Sequence, residues 1–502
     1  MPSSDSKPSP RLKTIDRSQM LLRAIDVDQL IEPQHPARAI WELVGRLNLD
    51  SFCASIRSVE GGVGRCAFDP HLLICLWIYG YSRGIGSARE ISRLCDMDPA
   101  FQWLTGMDTV NHHTLSDFRV DHREALDELF TQVLGLLSHE GLITLERVMQ
   151  DGTKIRARAR SNSFTREDRI REHLDVARQH IQDMGHPEQD STVDRRTQAR
   201  FRAARERIER LERALEEVQK LRAAKMEDKK GYEPKVSTTD PEARIMKTSE
   251  GGYAPSYNVQ ITTDSHAGLI ADVRVTQDVN DRYQLLPAME GVAARWRRRP
   301  KQVVADGDFT TNLSVIQMAE REVDFFGSWN PGPAAKKRTE PDWRGIHPEF
   351  QRDAFHYDVE QDHYICPAGK LLLFGKVNKL PHGGEDRFYK ASRTDCGPCA
   401  HRERCCPHYA TRGRILTHRI EPAAVTAFKA KMETGDAKTI YKQRSQVAEF
   451  PFAWIKEKLG LRRFHASGLI KAGIEALWVC LTFNIQRLLS LRSGPKPTLA
   501  QA

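Results

Sequence analysis

The sequence predicts a mixed α/β chain, with an all-helical N-terminal region followed by a strand-and-helix domain that two insertions interrupt. Three observations predict it. Apolar residues recur at helical spacing through the first part of the chain, up to about Ile143. Beyond that point short apolar runs alternate with helical stretches, in the order strand, hairpin, helix, strand, helix, strand. Composition then shifts abruptly in 160–235, dense in Arg, Lys and Glu, and in 330–430, rich in Pro, Gly, His and Cys. A length of 502 residues agrees with roughly three domains at about 150 residues each.

The N-terminal helices follow from their own signals. Pro36 to Leu49 places Ala39, Ile40, Leu43, Val44 and Leu47 on one face. Asp69-Pro70 supplies an N-cap and a first-turn proline before HLLICLWIYGYSRG, a helix apolar all round and so expected to be buried. Ser87 and Glu90 are spaced as a capping box that opens a helix to about Cys95. Pro99 to Leu104 reads as a further turn, and Thr114 with Asp117 as the start of a long helix towards Leu137. Short helices in this succession fit a helix-turn-helix reading DNA through Thr114 to Arg123, or a plain bundle used for dimerisation.

The second region opens with an expected strand at Leu145 to Met149. Phe201, Ala204, Ile208, Leu211, Leu215 and Val218 form a seam in a charged segment, which predicts a helical hairpin inserted into the domain. Tyr257 to Thr263 and Leu269 to Thr276 flank a turn at 264–268, a hairpin signal. Helix is expected from Arg282 to Arg297 and from Thr311 to Glu320, with strands at Gln302 to Ala305 and Val323 to Gly327. Ala437 to Leu491 is helical and strongly apolar.

Composition sets bounds on function. Hydrophobic residues at 40% and charged residues at 28% suit a core-forming chain and not a disordered or fibrous one. The N-terminus lacks a secretory h-region, and no apolar run approaches a membrane span of about 20 residues, so a cytoplasmic protein is expected. Lys and Arg exceed Asp and Glu by 76 to 67, a net +9 that permits a polyanionic partner without requiring one.

Three acids sit in contexts that suit phosphodiester chemistry. Two Mg²⁺ ions about 3.5–4 Å apart can assist both the attacking and the departing oxygen, and hard carboxylate ligands hold them. Asp151 follows Leu-Glu-Arg-Val-Met-Gln, and Asp306 follows Gln-Val-Val-Ala. Glu449 lies in YKQRSQVAEFPFAWIK; on a helical wheel Lys456 falls within about 20° of it, Tyr441 about 80° away and Arg444 about 140° away. Pro451 disturbs that helix. Asp308 competes with Asp306, and Asp278 and Asp281 could also point inward, with Asp281 equally suited to starting a helix. Glu475, in an apolar helix, reads as a buried structural partner.

Taken together, these residues resemble a DDE transposase of a bacterial insertion sequence. The class has an RNase H-like catalytic domain and a YREK signature. The resemblance covers roughly residues 18 to 493. It rests on FDPHLLICLWIYGYSRGIGSAREISRLC with HHTLSDFR, on QDGTKIRA, on VVADGDF, and on Tyr441-x2-Arg444-x4-Glu449-x6-Lys456. One departure is Asp308-Phe309 where the family carries Gly and Tyr after a small residue. The resemblance implies Asp151, Asp306 and Glu449 as the Mg²⁺-binding triad, with Mn²⁺ able to substitute. It implies Tyr441, Arg444 and Lys456 as contacts to DNA phosphates. It also implies cleavage at terminal inverted repeats, strand transfer into target DNA by direct transesterification, and a dimer or larger synaptic assembly at the nucleoid. A nuclease without strand transfer and a DNA-binding derivative without catalysis remain as alternatives. The expected layout is a tail over 1–17, the helical domain over 18–143, the catalytic domain over 144–494 with its two insertions, and a tail over 495–502.

Half of the ten cysteines, Cys366, Cys396, Cys399, Cys405 and Cys406, fall in the second insertion. Cys396-Gly-Pro-Cys399 has metal-knuckle spacing; Cys366 and Cys405 would complete a four-thiolate structural zinc site, with Cys406, His401 or His408 as replacements. Reduced core cysteines are the equal alternative.

Overall fold

The computed structural model describes residues 24–54, 66–185, 194–224, 233–248, 251–329, 345–380, 383–407 and 413–493, with a few single positions outside them. His408 and nearly all of both expected tails lie outside the described residues.

Seven helices come first: α1 (Pro36–Val44), α2 (Asp50–Cys53), α3 (Pro70–Ser82), α4 (Ala88–Cys95), α5 (Pro99–Thr105), α6 (His112–Asp121) and α7 (Arg123–His139). Asp69 caps α3 through the His71 amide at 2.8 Å, and Leu73 to Tyr81 are buried all round the helix as its composition demands. Ser87 caps α4, but the reciprocal half of the expected box is missing, because the Glu90 carboxylate turns to Arg93 instead. The long helix expected from Thr114 is two helices. Asn111 caps α6 by accepting from the His113 amide at 2.8 Å, and His122, at φ −111° and ψ 49°, breaks the run before α7.

The catalytic region is built on a six-stranded sheet of β1 (Arg147–Arg156), β4 (Arg244–Lys247), β5 (Tyr253–Asp264), β6 (Leu269–Thr276), β7 (Gln302–Ala305) and β8 (Asp324–Gly327). β5 is antiparallel to β1, and β4 and β6 both pair with β5, also antiparallel. On the other side of β1, β7 and then β8 run parallel to it. Helices α10 (Leu285–Trp296) and α11 (Asn312–Glu320) make the crossovers that parallel pairing requires. Three antiparallel strands followed by two parallel ones is the RNase H-like arrangement. Strand β1 is twice the expected length, because β5 continues to pair with it through Arg156 after β7 has ended. Helix α10 starts at Leu285 with Gln284 before it, so Asp281 does not start the helix.

The first insertion follows β1. Helices α8 (Glu167–Met184) and α9 (Arg195–Ala223) form the expected hairpin, and strands β2 (Phe164–Thr165) and β3 (Val236–Ser237) pair at its base. The hairpin has its own core of Ile170, Leu174 and Ala177 against Leu211, Ala214, Val218 and Val236. The second insertion follows β8. It is an antiparallel sheet of β9 (His356–Asp358), β10 (His363–Ile365), β11 (Leu371–Lys379), β12 (Glu385–Ala391) and β13 (Ile415–Ile420), with short helices α12 (Arg393–Cys396) and α13 (Arg402–Cys405).

Four helices close the chain: α14 (Ala423–Met432), α15 (Gly435–Lys442), α16 (Arg444–Glu457) and α17 (Leu469–Ser493). Helix α17 contradicts the expectation that no segment reaches membrane-spanning length, since Leu469–Arg492 does so by length and apolarity. Most of it is buried inside the protein, against α3, α7 and β6. Trp478 Nε1 donates to the Arg119 carbonyl on α6 at 3.2 Å, and Asn484 pairs with both backbone groups of Ile270 on β6 at 2.9 and 2.8 Å. One apolar core therefore runs from Ala37 in α1 to Leu488 in α17 without a break between the helical region and the sheet.

Candidate active site

The register of β1 against β7 positions the first two acids. Gln150 pairs with Ala305, so Asp151 and Asp306 leave the pairing side by side. Met149, on the same face of β1 as Asp151, packs with Val304, Phe326, Ala437 and Ala448, which turns that face towards α15 and α16. Asp151 lies within β1, not at its end as expected, yet it stands where the parallel pairing stops. Asp306 Oδ1 accepts from the amides of Asp308 at 2.9 Å and Phe309 at 3.4 Å, and fully buried Phe309 anchors this turn. Asp308 is exposed.

The electrostatics are those of acids removed from water. Burial pushes the Asp151 carboxyl up to about 6; the Gly152 amide, which donates to Oδ1 at 2.8 Å, pulls it down, neighbouring Asp306 raises it and Arg444 lowers it. Asp306 is also raised, chiefly by burial, with the Asp308 amide lowering it and the Asp308 charge raising it. The Asp151 carboxyl thus responds to the charge of Asp306, the acid that the strand register brings beside it.

Helix α16 brings the remaining groups. Arg444, in its first turn, reaches inward: Nη1 lies 3.4 Å from Asp151 Oδ2 and Nη2 3.8 Å from Glu449 Oε1. Its side chain is 18% exposed, while that of Glu449 is 62% exposed. Lys456 Nζ donates to Thr153 Oγ1 at 2.6 Å, two residues along β1 from Asp151 on the same face. Tyr441 is on α15, across a break at Gln443, so the wheel angle relating it to Glu449 does not apply. Its ring packs on the cluster around Met149 and Val304. Pro451 is accommodated inside α16.

A polar network on the opposite face of β1 was not anticipated. Lys154 Nζ donates to both oxygens of Asp281, at 3.1 and 2.9 Å, and Asn258 and Gln260 donate to its Oδ1 at 2.7 and 2.5 Å. Gln150 Nε2 donates to Gln260 Oε1 at 2.9 Å, and Thr262 Oγ1 to Gln150 Oε1 at 2.6 Å. A Cβ at position 152 would meet Gln260 at 2.3 Å and Asp281 at 2.5 Å, so only glycine fits beside Asp151. Asp278 accepts from Gln284 at 2.6 Å and lies outside the acid pair. The sequence signal for this network was present: glycine inside a strand, and Gln150, Asn258, Gln260 and Thr262 at buried strand positions.

The second insertion draws Cys366, Cys396, Cys399, Cys405, Cys406 and His401 around one small cavity. The Lys370 amide donates to Cys366 Sγ at 3.3 Å and the Arg414 amide to Cys396 Sγ at 3.5 Å. Burial pushes the Cys405 thiol up to about 12. Among the described residues no three His, Cys, Asp or Glu side chains stand in metal-holding positions, at either place. The donor chemistry nevertheless suits a hard cation at the carboxylates and a soft one at the thiols.

Comparison with known families places these observations. Residues 365–489 match a transposase DDE domain, a span that includes Tyr441, Arg444, Glu449, Lys456 and the cysteine cluster but neither Asp151 nor Asp306. Residues 25–121 match a transposase domain designated DUF772, which covers α1 to α6. Neither a search of curated proteins nor one of solved structures returned a match. A transposase helical region joined to a transposase DDE domain, in this order on one chain, indicates an insertion-sequence DDE transposase.

Proposed function

We propose that this transposase cuts DNA at the ends of its element and joins the exposed 3′-hydroxyl to target DNA, with Mg²⁺, or Mn²⁺ in its place, held by Asp151, Asp306 and Glu449. The observation that supports this reading is the convergence of Asp151, Asp306 and the Arg444–Glu449 end of α16, from three distant stretches of chain, at one end of the parallel strands. When bound, divalent metal would activate the attacking oxygen and stabilise the leaving one. The chain's own residues do the rest. The α16 cations Arg444 and Lys456 hold the scissile strand through its phosphates, and Tyr441 adds a phenol from α15. Such contacts position the strand and carry no base information. The four residues Tyr441, Arg444, Glu449 and Lys456 are the proposed YREK signature. Synapsis of two element ends requires at least a dimer.

Asp151→Asn tests the reading directly. Incubated with element ends, Mg²⁺ and a target plasmid, the wild-type chain gives joined products. The variant binds ends but neither cuts nor joins. Cleavage retained in the variant removes Asp151 from the site, and cut ends without joined products in the wild type reduce the activity to a nuclease.

A structural zinc ion at Cys366, Cys396, Cys399 and Cys405, with Cys406 or His401 as an alternative ligand, is proposed for the second insertion. Support comes from the gathering of thiols far apart in sequence and from the amide bonds to two of the sulfurs. The apolar cluster of its sheet has six buried residues among the described ones, small enough to gain from such a staple. Metal analysis of the purified chain should find about one zinc per chain; a value near zero favours reduced core cysteines.

A further inference from the structure

Resting on the assignment of the three acids, we infer that Arg444 holds the catalytic cluster shut until a DNA phosphate draws it away, so that metal and DNA bind cooperatively. The guanidinium stands between two of the acids, 3.4 Å from Asp151 and 3.8 Å from Glu449, with most of its side chain out of solvent. A divalent cation bound to the same carboxylates would have a like charge beside it, and burial raises the cost of that repulsion.

The contacts are also built to exchange. Charge-assisted hydrogen bonds usually measure about 2.7–2.9 Å. Both Arg444 contacts are longer, whereas the Lys154–Asp281 pair behind the same strand reaches 2.9 Å. A guanidinium fork binds phosphate with the geometry it uses for carboxylate. A strand entering the site therefore offers Arg444 an equivalent partner and leaves Asp151 and Glu449 to the metal. By thermodynamic reciprocity, whatever DNA does for metal affinity, metal does for DNA affinity. Without DNA, Arg444 would keep Asp151 and Glu449 from loading a metal.

Mn²⁺ binding to the full chain, followed by the spin-resonance signal of free Mn²⁺, tests this with and without a duplex made from the DNA that flanks the gene. The wild type should bind Mn²⁺ about tenfold more tightly with the duplex. Arg444→Gln should bind about tenfold more tightly than wild type in its absence and gain little on adding it. Equal wild-type affinity in both conditions overturns the inference, as does a folded Arg444→Gln chain that binds no more tightly than wild type. Should Arg444→Gln fail to fold by circular dichroism, the two wild-type measurements decide alone. Asp151→Asn separates the two layers: if it binds Mn²⁺ as wild type does in the presence of duplex, the acid assignment itself is at fault.

Discussion

Two glutamates on consecutive helices, Glu449 on α16 and Glu475 on α17, both lie near an arginine and have opposite fates. Glu475 is 1% exposed and fully used: its oxygens lie 2.6 Å from His465 Nδ1, 2.9 Å from the His465 amide and 3.9 Å from Arg119. Arg119 in turn donates to the Gly86 carbonyl at 2.8 Å and stacks over Trp77 at 4.6 Å. Glu449 is mostly in solvent, and its ion pair with Arg444 is a long contact to an arginine shared with Asp151. A carboxylate committed to stability has its hydrogen-bond capacity filled. The proposed metal ligand instead leaves most of its capacity to water, which an incoming cation can displace.

The sharpest way to break this contrast is to neutralise each acid. Glu449→Gln should lower strand cleavage by about 10³-fold or more, with stability within about 0.5 kcal/mol of wild type. A cleavage assay alongside thermal melting checks both halves, and a large fall in melting temperature would put Glu449 in the structural class. Glu475→Ala should do the reverse: it leaves Arg119 buried without its counter-charge, at a cost of about 3–5 kcal/mol in chemical denaturation. A loss below about 1 kcal/mol would show that Arg119 does not depend on Glu475 for its counter-charge.

A third acid sharpens the comparison by falling between the two. Asp240 is buried and accepts from the Tyr257 hydroxyl at 2.6 Å and the Gly468 amide at 3.0 Å. Its Oδ2 has no hydrogen-bond partner among the described residues. Burial is the main reason its carboxyl is pushed up to about 6, against partial relief from Tyr257 and Gly468. A raised carboxyl pKa means that the folded chain holds the proton more tightly than the unfolded one. Stability should therefore fall, by about 1–3 kcal/mol, as pH rises from about 4 to about 6. Asp240→Asn should flatten that part of a melting-temperature profile; an unchanged slope would assign it to other groups.

Most of the architecture was legible because it rests on local signals. Asp69-Pro70, the 257–276 hairpin and the alternation of short strands with helices each follow from a residue's own neighbours. The misses have long-range causes. Nothing local to Leu145–Met149 reveals that β5 extends the strand to Arg156, since that depends on pairing with residues a hundred positions away. The break at His122 and the Glu90–Arg93 pair were choices among near-equal local options. At the candidate site the residues of the YREK pattern were readable, but their relation was not. The wheel treated Tyr441 to Lys456 as one helix, and the interruption at Gln443 moved Tyr441 onto another. Asp281 shows the remaining limit: its ion pair with Lys154 joins two segments whose meeting only the folded sheet determines.

The uninterrupted core that α17 shares with α3, α7 and β6 bears on how the protein is made. The helices translated first have no complete partner until α17 has left the ribosome. Neither the helical region nor the sheet is fully covered before α17 is made, and contacts this distant in sequence make that closure slow. A message truncated just before α17 would yield a helical region with a large apolar face and nothing to cover it, a product for proteolysis and not a free DNA-binding fragment. The position of one buried helix in the reading order thus makes folding of the transposase close to all-or-none.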